Sequence, residues 1–224
     1  VYQGLSGELA AIEPPVWAGL IGGFLRDKSL SVAIIDSEAC GYNHQQAAEA
    51  VASHEPKLVV FVVYGQQPSA STQCMPAAAK TCNFLKEISD VPTMVMGTHS
   101  SALPARTLQQ EPYDYVCQGE GPYTVFDLYK FIKGEIKITE VSGLWYMDKG
   151  LAVSNPIKDK IVDLDKELPK QALDLLDMTK YRAHNWHCFD DLSSRGSYAS
   201  LQTSLGCPLS LIHISEPTRQ EAIS

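Results

Sequence analysis

A chain of 224 residues, 45% hydrophobic and 20% charged, can bury a core of ordinary domain size and is too apolar for a disordered polyelectrolyte. A formal net charge of −8 without any cluster of Lys and Arg excludes a nucleic-acid surface, because phosphate contacts need concentrated cations. No run approaches the ~18 apolar residues of a membrane span. Six cysteines (Cys40, Cys74, Cys82, Cys117, Cys188, Cys207) form no CxxC pair, which is the usage of reduced thiols in a cytoplasmic protein.

The chain opens almost directly into a helix, where a domain of this type begins with a central strand; a first strand is therefore expected to be missing. Pro14-Pro15 starts that helix, and Trp17, Leu20, Ile21, Phe24 and Leu25 follow at helical spacing. Gly19, Gly22 and Gly23 weaken it intrinsically and are expected to allow close packing on a sheet. Ser31–Asp36 is predicted as a strand, and Asn43 as the cap of a helix reaching about His54. Leu58–Val63 has no polar alternation and is predicted as a central strand covered on both faces. A polar loop, Tyr64–Thr72, leads into a helix whose face holds Met75, Ala78, Ala79, Cys82, Leu85 and Ile88. Val91–Met96 is a further buried strand, ending at Gly97-Thr98-His99, and a short helix covers Leu103–Glu111. Tyr113–Cys117 is the last parallel strand; Gly119-Glu120-Gly121 follows, and Pro122 begins another helix. Val141–Met147 and Leu151–Val153 around Asp148-Lys149-Gly150 read as a hairpin. Asn155–Ser197 is a polar connector, and Tyr198–Thr203 a new strand running into Gly206-Cys207-Pro208.

Strands alternating with helices at this spacing predict an α/β fold, a flavodoxin-like (Rossmann-like) doubly wound parallel sheet. In such sheets ligands sit beyond the carboxyl ends of the strands. Three strand-end loops, Tyr64–Thr72, Gly97–Ser101 and Gln118–Gly121, are therefore expected to converge on one small-molecule site. Their Gly, Ser and Thr let a ligand approach the backbone. The candidate binding residues are Tyr64, Gly65, Ser69, Ser71, Thr72, Gly97, Thr98, His99, Gly119, Glu120 and Gly121. Glu120 would repel a bare phosphate, which favours a ligand rich in amide or hydroxyl groups. A phospho-acceptor receiver is disfavoured, since Tyr64 stands where its Asp would end the central strand and Gln118 where its Lys would end the last. His184, His187 and Cys188 lack matching partners for a zinc site.

The set Ala11-Ile12-Glu13-Pro14-Pro15, Asp36, Ser69–Thr72, Gly97-Thr98-His99, Ala102-Leu103-Pro104 and Cys117–Gly121, with Leu164-Asp165, Leu168-Pro169 and Tyr181-Arg182 further on, resembles the N-terminal half of a cobalamin-dependent radical S-adenosylmethionine enzyme. The resemblance covers roughly residues 1–209. It implies a corrin-binding domain (1–133), a hairpin and connector (134–197), and the first strand of a radical S-adenosylmethionine partial TIM barrel (198–209). It further implies that Cys207 matches the first cysteine of a CxxxCxxC motif, whose three thiolates hold a [4Fe–4S] cluster that binds S-adenosylmethionine in the intact parent. That parent would catalyse methyl transfer or cyclisation at an unactivated carbon.

The departures bear on activity. Leu211 and Ile214 stand where the second and third cysteines belong, and residues 210–224 resemble a translated sequencing adapter. This chain alone is thus expected to bind cobalamin but to be catalytically inactive. Residues 1–43 contain no histidine, so no histidine is expected to ligate cobalt from below. The competing expectation is a non-catalytic corrin- or nucleotide-binding carrier module.

Overall fold

The computed structural model describes residues 11–65, 68–158, 161–168, 170–182 and 199. Helix α1 (Val16–Asp27) begins directly after Pro15 and buries Leu20, Ile21, Phe24 and Leu25. Helix α2 (His44–Ala52) starts at Asn43 as expected. The Asn43 carboxamide accepts from the Gln46 N–H at 2.9 Å, while the Gln46 side chain accepts from the Asn43 N–H at 3.0 Å. Two orphan donors of the first turn are thereby satisfied. The chain continues through β1 (Val59–Val62), α3 (Pro68–Ile88), β2 (Thr93–Met96), α4 (Thr98–Ala102), α5 (Pro104–Gln110), β3 (Tyr115–Cys117) and α6 (Pro122–Ile132). Then follow β4 (Leu144–Asp148), β5 (Leu151–Ser154) and α7 (Leu164–Glu167).

The strands form one five-stranded sheet in the order β1-β2-β3-β4-β5. β1, β2 and β3 are parallel, with Phe61 beside Val95 and Val95 beside Val116. Side chains alternate between two cores. Met94 and Met96 point to one face, where they pack with Leu20 and Phe24 of α1 and Val125 and Leu128 of α6. Val95 and Val116 point to the other, against Met75 and Cys82 of α3 and Leu108 of α5. Ala48 of α2 and Leu85 of α3 close that same face over Val59. This is the two-sided covering that the unbroken apolar strands predicted.

Several features differ from the sequence expectation. Ser31–Asp36 forms no ladder among the described residues, and β1 lies at the sheet's edge instead of its centre. A parallel strand exists only with a partner at hydrogen-bonding distance, and a cavity separates these two segments. The polar loop after β1 is shorter than expected, because α3 already begins at Pro68. The stretch after β2 is a turn of helix, α4, where a loop was expected. The hairpin extends the sheet itself, β4 pairing antiparallel with β3 and β5 with β4. Its turn has Lys149 and Gly150 both at positive φ, the mirror-type geometry that fits strand twist.

The glycines of α1 face the connector and the Val32–Ile34 segment, not the sheet strands. A Cβ on Gly23 would lie 2.2 Å from the Lys170 carbonyl oxygen, and one on Gly22 3.2 Å from Ile34 Cδ1. Ala172 N–H donates to the Gly19 carbonyl at 2.9 Å, so the connector lies directly on the helix. Gly23→Ala should therefore destabilise the fold by about 1–3 kcal/mol through overpacking against rigid backbone. That exceeds the roughly 1 kcal/mol alanine gains as a helix former. Gly19→Ala meets only the flexible Gln171 side chain at 3.4 Å and should be neutral or stabilising. Urea unfolding of the two variants side by side checks the contrast. The expected strand at Tyr198–Thr203 and the His184/His187/Cys188 group lie outside the described residues.

Candidate functional site

β1, β2 and β3 end along one edge, so Tyr64, Gly97 and Gln118 emerge side by side. Hydrogen bonds tie the three following loops into a ring. The buried Ser71 hydroxyl donates to the Val63 carbonyl at 2.5 Å and accepts from the His99 N–H at 3.1 Å. Thr72 Oγ1 and His99 Nδ1 are 3.0 Å apart, which joins the first loop to the second again through side chains. Gly119 N–H donates to Ser101 Oγ at 2.9 Å, joining the second loop to the third. The Tyr64 hydroxyl reaches the Gly119 carbonyl at 3.5 Å and completes the circuit.

Gly97 makes the first junction possible. A Cβ there would stand 2.1 Å from the Val63 carbonyl oxygen, so the backbones touch where no side chain fits. Gly121 has the same role one layer down: with φ +98° it packs on Met96, whose Cε lies 2.1 Å from where a Cβ would be. Gly65 backs onto the first turn of α3 at Ala70. Gly119, at φ +103°, meets only Ile157 at 3.5 Å and is comparatively open. Ser69 is exposed in the first turn of α3.

Glu120 is not aimed at the rim. Its carboxylate accepts from the Ile161 N–H at 3.0 Å and so holds the connector. Tyr64 stacks on Trp17, with ring centroids 4.7 Å apart at an interplanar angle of 19°. Burial pushes the Tyr64 hydroxyl above the ordinary phenol range and the Cys117 thiol up to about 12, so both stay neutral at physiological pH. The structure thus brings together Tyr64, Ser71, Thr72, Gly97, Thr98, His99 and Gly119. It assigns Gly65 and Gly121 to packing and turns Glu120 aside. Cys207 lies outside the described residues.

Two residues of the rim were not singled out in the sequence. Trp17 reads as one more apolar position of α1, and only the fold shows its ring under Tyr64. Ser101 sits in Ser100-Ser101, where nothing marks the second serine as the one that bridges to Gly119. Among the described residues no group of three or more His, Cys, Asp or Glu could hold a metal ion. No helix there is long and apolar enough to cross a membrane.

The site is a rim of hydroxyls, amides and one imidazole above the carboxyl ends of parallel strands. It suits a large ligand bearing amide and hydroxyl groups, and Thr98 Oγ1, buried without a partner, offers such a ligand an unused hydrogen bond. These features define an α/β cofactor-binding domain. Residues 2–128, more than half of the chain, match the family described as the B12 binding domain, and the chain belongs to that family.

Similar proteins agree. The 4'-phospho-dehydrooxetanocin synthase of Priestia megaterium is 31% identical over 108 residues, 48% of this chain and 12% of that protein. The anaerobic magnesium-protoporphyrin IX monomethyl ester cyclase of Rubrivivax gelatinosus is 25% identical over 187 residues, 80% of this chain and 32% of its own length. Among solved structures, the cobalamin-dependent S-adenosylmethionine radical enzyme OxsB with aqua-cobalamin bound aligns with a TM-score of 0.57 and 26% identity, over 74% of this chain and 22% of that one. The radical S-adenosylmethionine methyltransferase TsrM from Kitasatospora setae, with cobalamin and a [4Fe–4S] cluster bound, shares the fold at a TM-score of 0.55 and 16% identity, over 65% and 28% of the two chains. The chain therefore spans a third or less of the relatives it matches.

Proposed function

We propose that this chain is the corrin-holding part of a cobalamin-dependent radical S-adenosylmethionine enzyme, with cobalamin seated over the rim built by Tyr64, Thr72, Thr98, His99 and Gly119. The observation that carries this reading is the closed circuit of hydrogen bonds among the three strand-end loops. Such a circuit holds polar groups in place before a ligand arrives, which lowers the ordering cost of binding. In this reading Ser71, Gly97 and Gly121 shape the rim from beneath, and Glu120 fixes the connector beside it.

When bound, cobalamin supplies a cobalt centre able to carry a methyl group. The chain's own residues supply orientation: Thr72 fixes the His99 ring, and Trp17 holds the Tyr64 ring flat at the edge of the floor. In the intact parent, Cys207 would be the first of three cluster thiolates, and the reaction would be methyl transfer or ring closure with S-adenosylmethionine. The four described cysteines, Cys40, Cys74, Cys82 and Cys117, are free thiols, which fits a reducing cytoplasmic compartment.

Titration with hydroxocobalamin tests the reading. A change in the visible spectrum and retention of the pigment on gel filtration are expected. A folded chain that gives neither refutes it. His99→Ala should weaken binding roughly tenfold, the effect of one lost hydrogen bond, and leave the cobalt-ligation spectrum unchanged. A shift in ligation state would instead show that His99 touches the metal.

A further inference from the structure

Away from the rim, the Asp36 carboxylate joins two segments that lie 145 residues apart in sequence. Its Oδ1 accepts from the Glu38 N–H at 3.0 Å and the Ala39 N–H at 3.2 Å, while the Asp36 main-chain carbonyl accepts from the Cys40 N–H at 3.0 Å. These bonds fold residues 36–41 into a tight turn, which Gly41 leaves at φ +65°. Its Oδ2 accepts from the hydroxyl of Tyr181 at 3.0 Å, and Tyr181 is buried. The next residue, Arg182, exchanges two main-chain hydrogen bonds with Ile12, at 3.1 and 3.0 Å. One carboxylate thus sets the position of the Cys40 turn and of the connector's end together.

Lys180 and Cys40 meet across this anchor, with Lys180 Nζ 3.5 Å from Cys40 Sγ. The Asp177 carboxylate accepts from the Thr179 N–H at 3.2 Å and from the Thr179 hydroxyl at 2.5 Å. It approaches the Lys180 ammonium only at 4.0 Å and does not draw it off the sulfur. Reacting atoms held about 3–3.5 Å apart have most of the advantage of an intramolecular reaction over a bimolecular one. Both groups are also open to a small oxidant. The Lys180 side chain is 40% exposed and Cys40 is half-buried, whereas Cys82 and Cys117 are sealed in the core.

We propose that Cys40 and Lys180 are the two halves of a reversible redox latch, a sulfenamide formed when hydrogen peroxide oxidises the thiol. In the first step the Cys40 thiolate attacks one peroxide oxygen; the O–O bond breaks, an S–OH bond forms, and the departing hydroxide takes a proton to become water. In the second, the unprotonated Lys180 amine attacks that sulfur; the S–N bond forms, the S–O bond breaks, and the hydroxide leaves as water with a proton from the amine. Sulfur gives up two electrons and the peroxide takes both. A thiol reductant reverses the latch: it attacks the sulfur, releases the amine as a mixed disulfide forms, and a second thiol restores Cys40. The closed latch joins positions 140 residues apart and fastens the connector to the domain it leaves. It rests on this cluster alone and is independent of what the rim binds.

The test treats the 224-residue chain with hydrogen peroxide and maps its peptides by mass. The peptides containing Cys40 and Lys180 should appear joined, lighter by two hydrogens than their sum, and should separate again with dithiothreitol. Closing so long a loop should raise the thermal midpoint by roughly 10 °C. Amide exchange at residues 178–182 should slow by about tenfold or more. Lys180→Arg keeps the charge but should give no joined peptide, leaving Cys40 as a sulfenic acid that dimedone labels at least about tenfold more strongly than in the parent. Cys74→Ser should leave the link intact. A Cys40 that stays reduced, or stops at the sulfenic acid while Lys180 is present, would overturn the proposal. So would a disulfide between Cys40 and another cysteine, a bridge that retains an oxygen, or a link found only between chains.

Discussion

Replacing Gly97 by alanine should collapse the rim and destabilise the domain by about 3–5 kcal/mol. The added carbon would lie 2.1 Å from the Val63 carbonyl oxygen, 2.8 Å from the Val63 carbonyl carbon and 3.0 Å from Ser71 Oγ. The first two are main-chain atoms of the neighbouring strand end, held by the Val63 N–H to Met96 carbonyl bond at 2.7 Å, and cannot rotate away. Overpacking of this kind costs about 1–3 kcal/mol or more. The φ of +156° adds roughly 1–3 kcal/mol of backbone strain for a residue with a Cβ. Against a total stability of about 5–15 kcal/mol this leaves a marginal fold. Urea unfolding reads the loss directly. Gly119→Ala is the informative contrast, because its nearest neighbour is a side-chain methyl of Ile157 at 3.5 Å. It carries the strain of a positive φ without a clash, so the domain should stay folded and any loss of hydroxocobalamin retention would belong to the rim itself. A Gly97→Ala protein as stable as the parent would mean that the β1 and β2 ends can part at little cost.

How much of this was legible in the sequence depends on whether an element's neighbour is local. Asn43 and Gln46 cap α2 within four residues, and Lys149-Gly150 turns the hairpin within two, so both could be read directly. The unbroken run Leu58–Val63 correctly announced a strand covered on both faces, since coverage depends on the strand's own side chains. Which elements lie alongside is a different question, and periodicity does not answer it. Hence β1 was expected in the middle of the sheet but lies at its edge, and the α1 glycines were expected against the sheet but face Lys170 and Ala172, some 150 residues away in sequence. The site divides in the same way. Its loops were legible because strand ends in a parallel sheet must share an edge. The roles within them were not, because Ser71 and Ser101 are told apart from their neighbours only by partners 28 and 18 residues distant. Glu120 shows the limit most clearly: its charge suggested repulsion of a phosphate, whereas its carboxylate is taken up by the Ile161 N–H.

Alkaline pH should unfold this domain earlier than its surface charges would suggest, because two buried thiols resist ionisation. Burial pushes Cys117 up to about 12 and Cys82 up to about 11, both side chains being inaccessible to solvent. In the unfolded chain a cysteine ionises near ~8.5. Above that pH the unfolded state has lost protons that the folded state still holds, so stability must fall as pH rises. The contribution is fully present below ~8.5 and is lost progressively up to the folded values, at about 1.4 kcal/mol per pH unit for each thiol. Between pH 8.5 and 10.5 the pair should remove about 4–5 kcal/mol, a third or more of the roughly 5–15 kcal/mol stability of an ordinary domain, and lower the urea midpoint accordingly. Tyr64, Tyr113 and Tyr181, all raised by burial, act in the same direction but only above ~10, where unfolded phenols begin to ionise. Cys117→Ala separates the thiol from the rest. It lowers stability at neutral pH by the packing it removes beneath Gly121, yet its decline with pH should be shallower by about 1.4 kcal/mol per unit. An unchanged slope would show that Cys117 ionises in the folded state as easily as in the unfolded one.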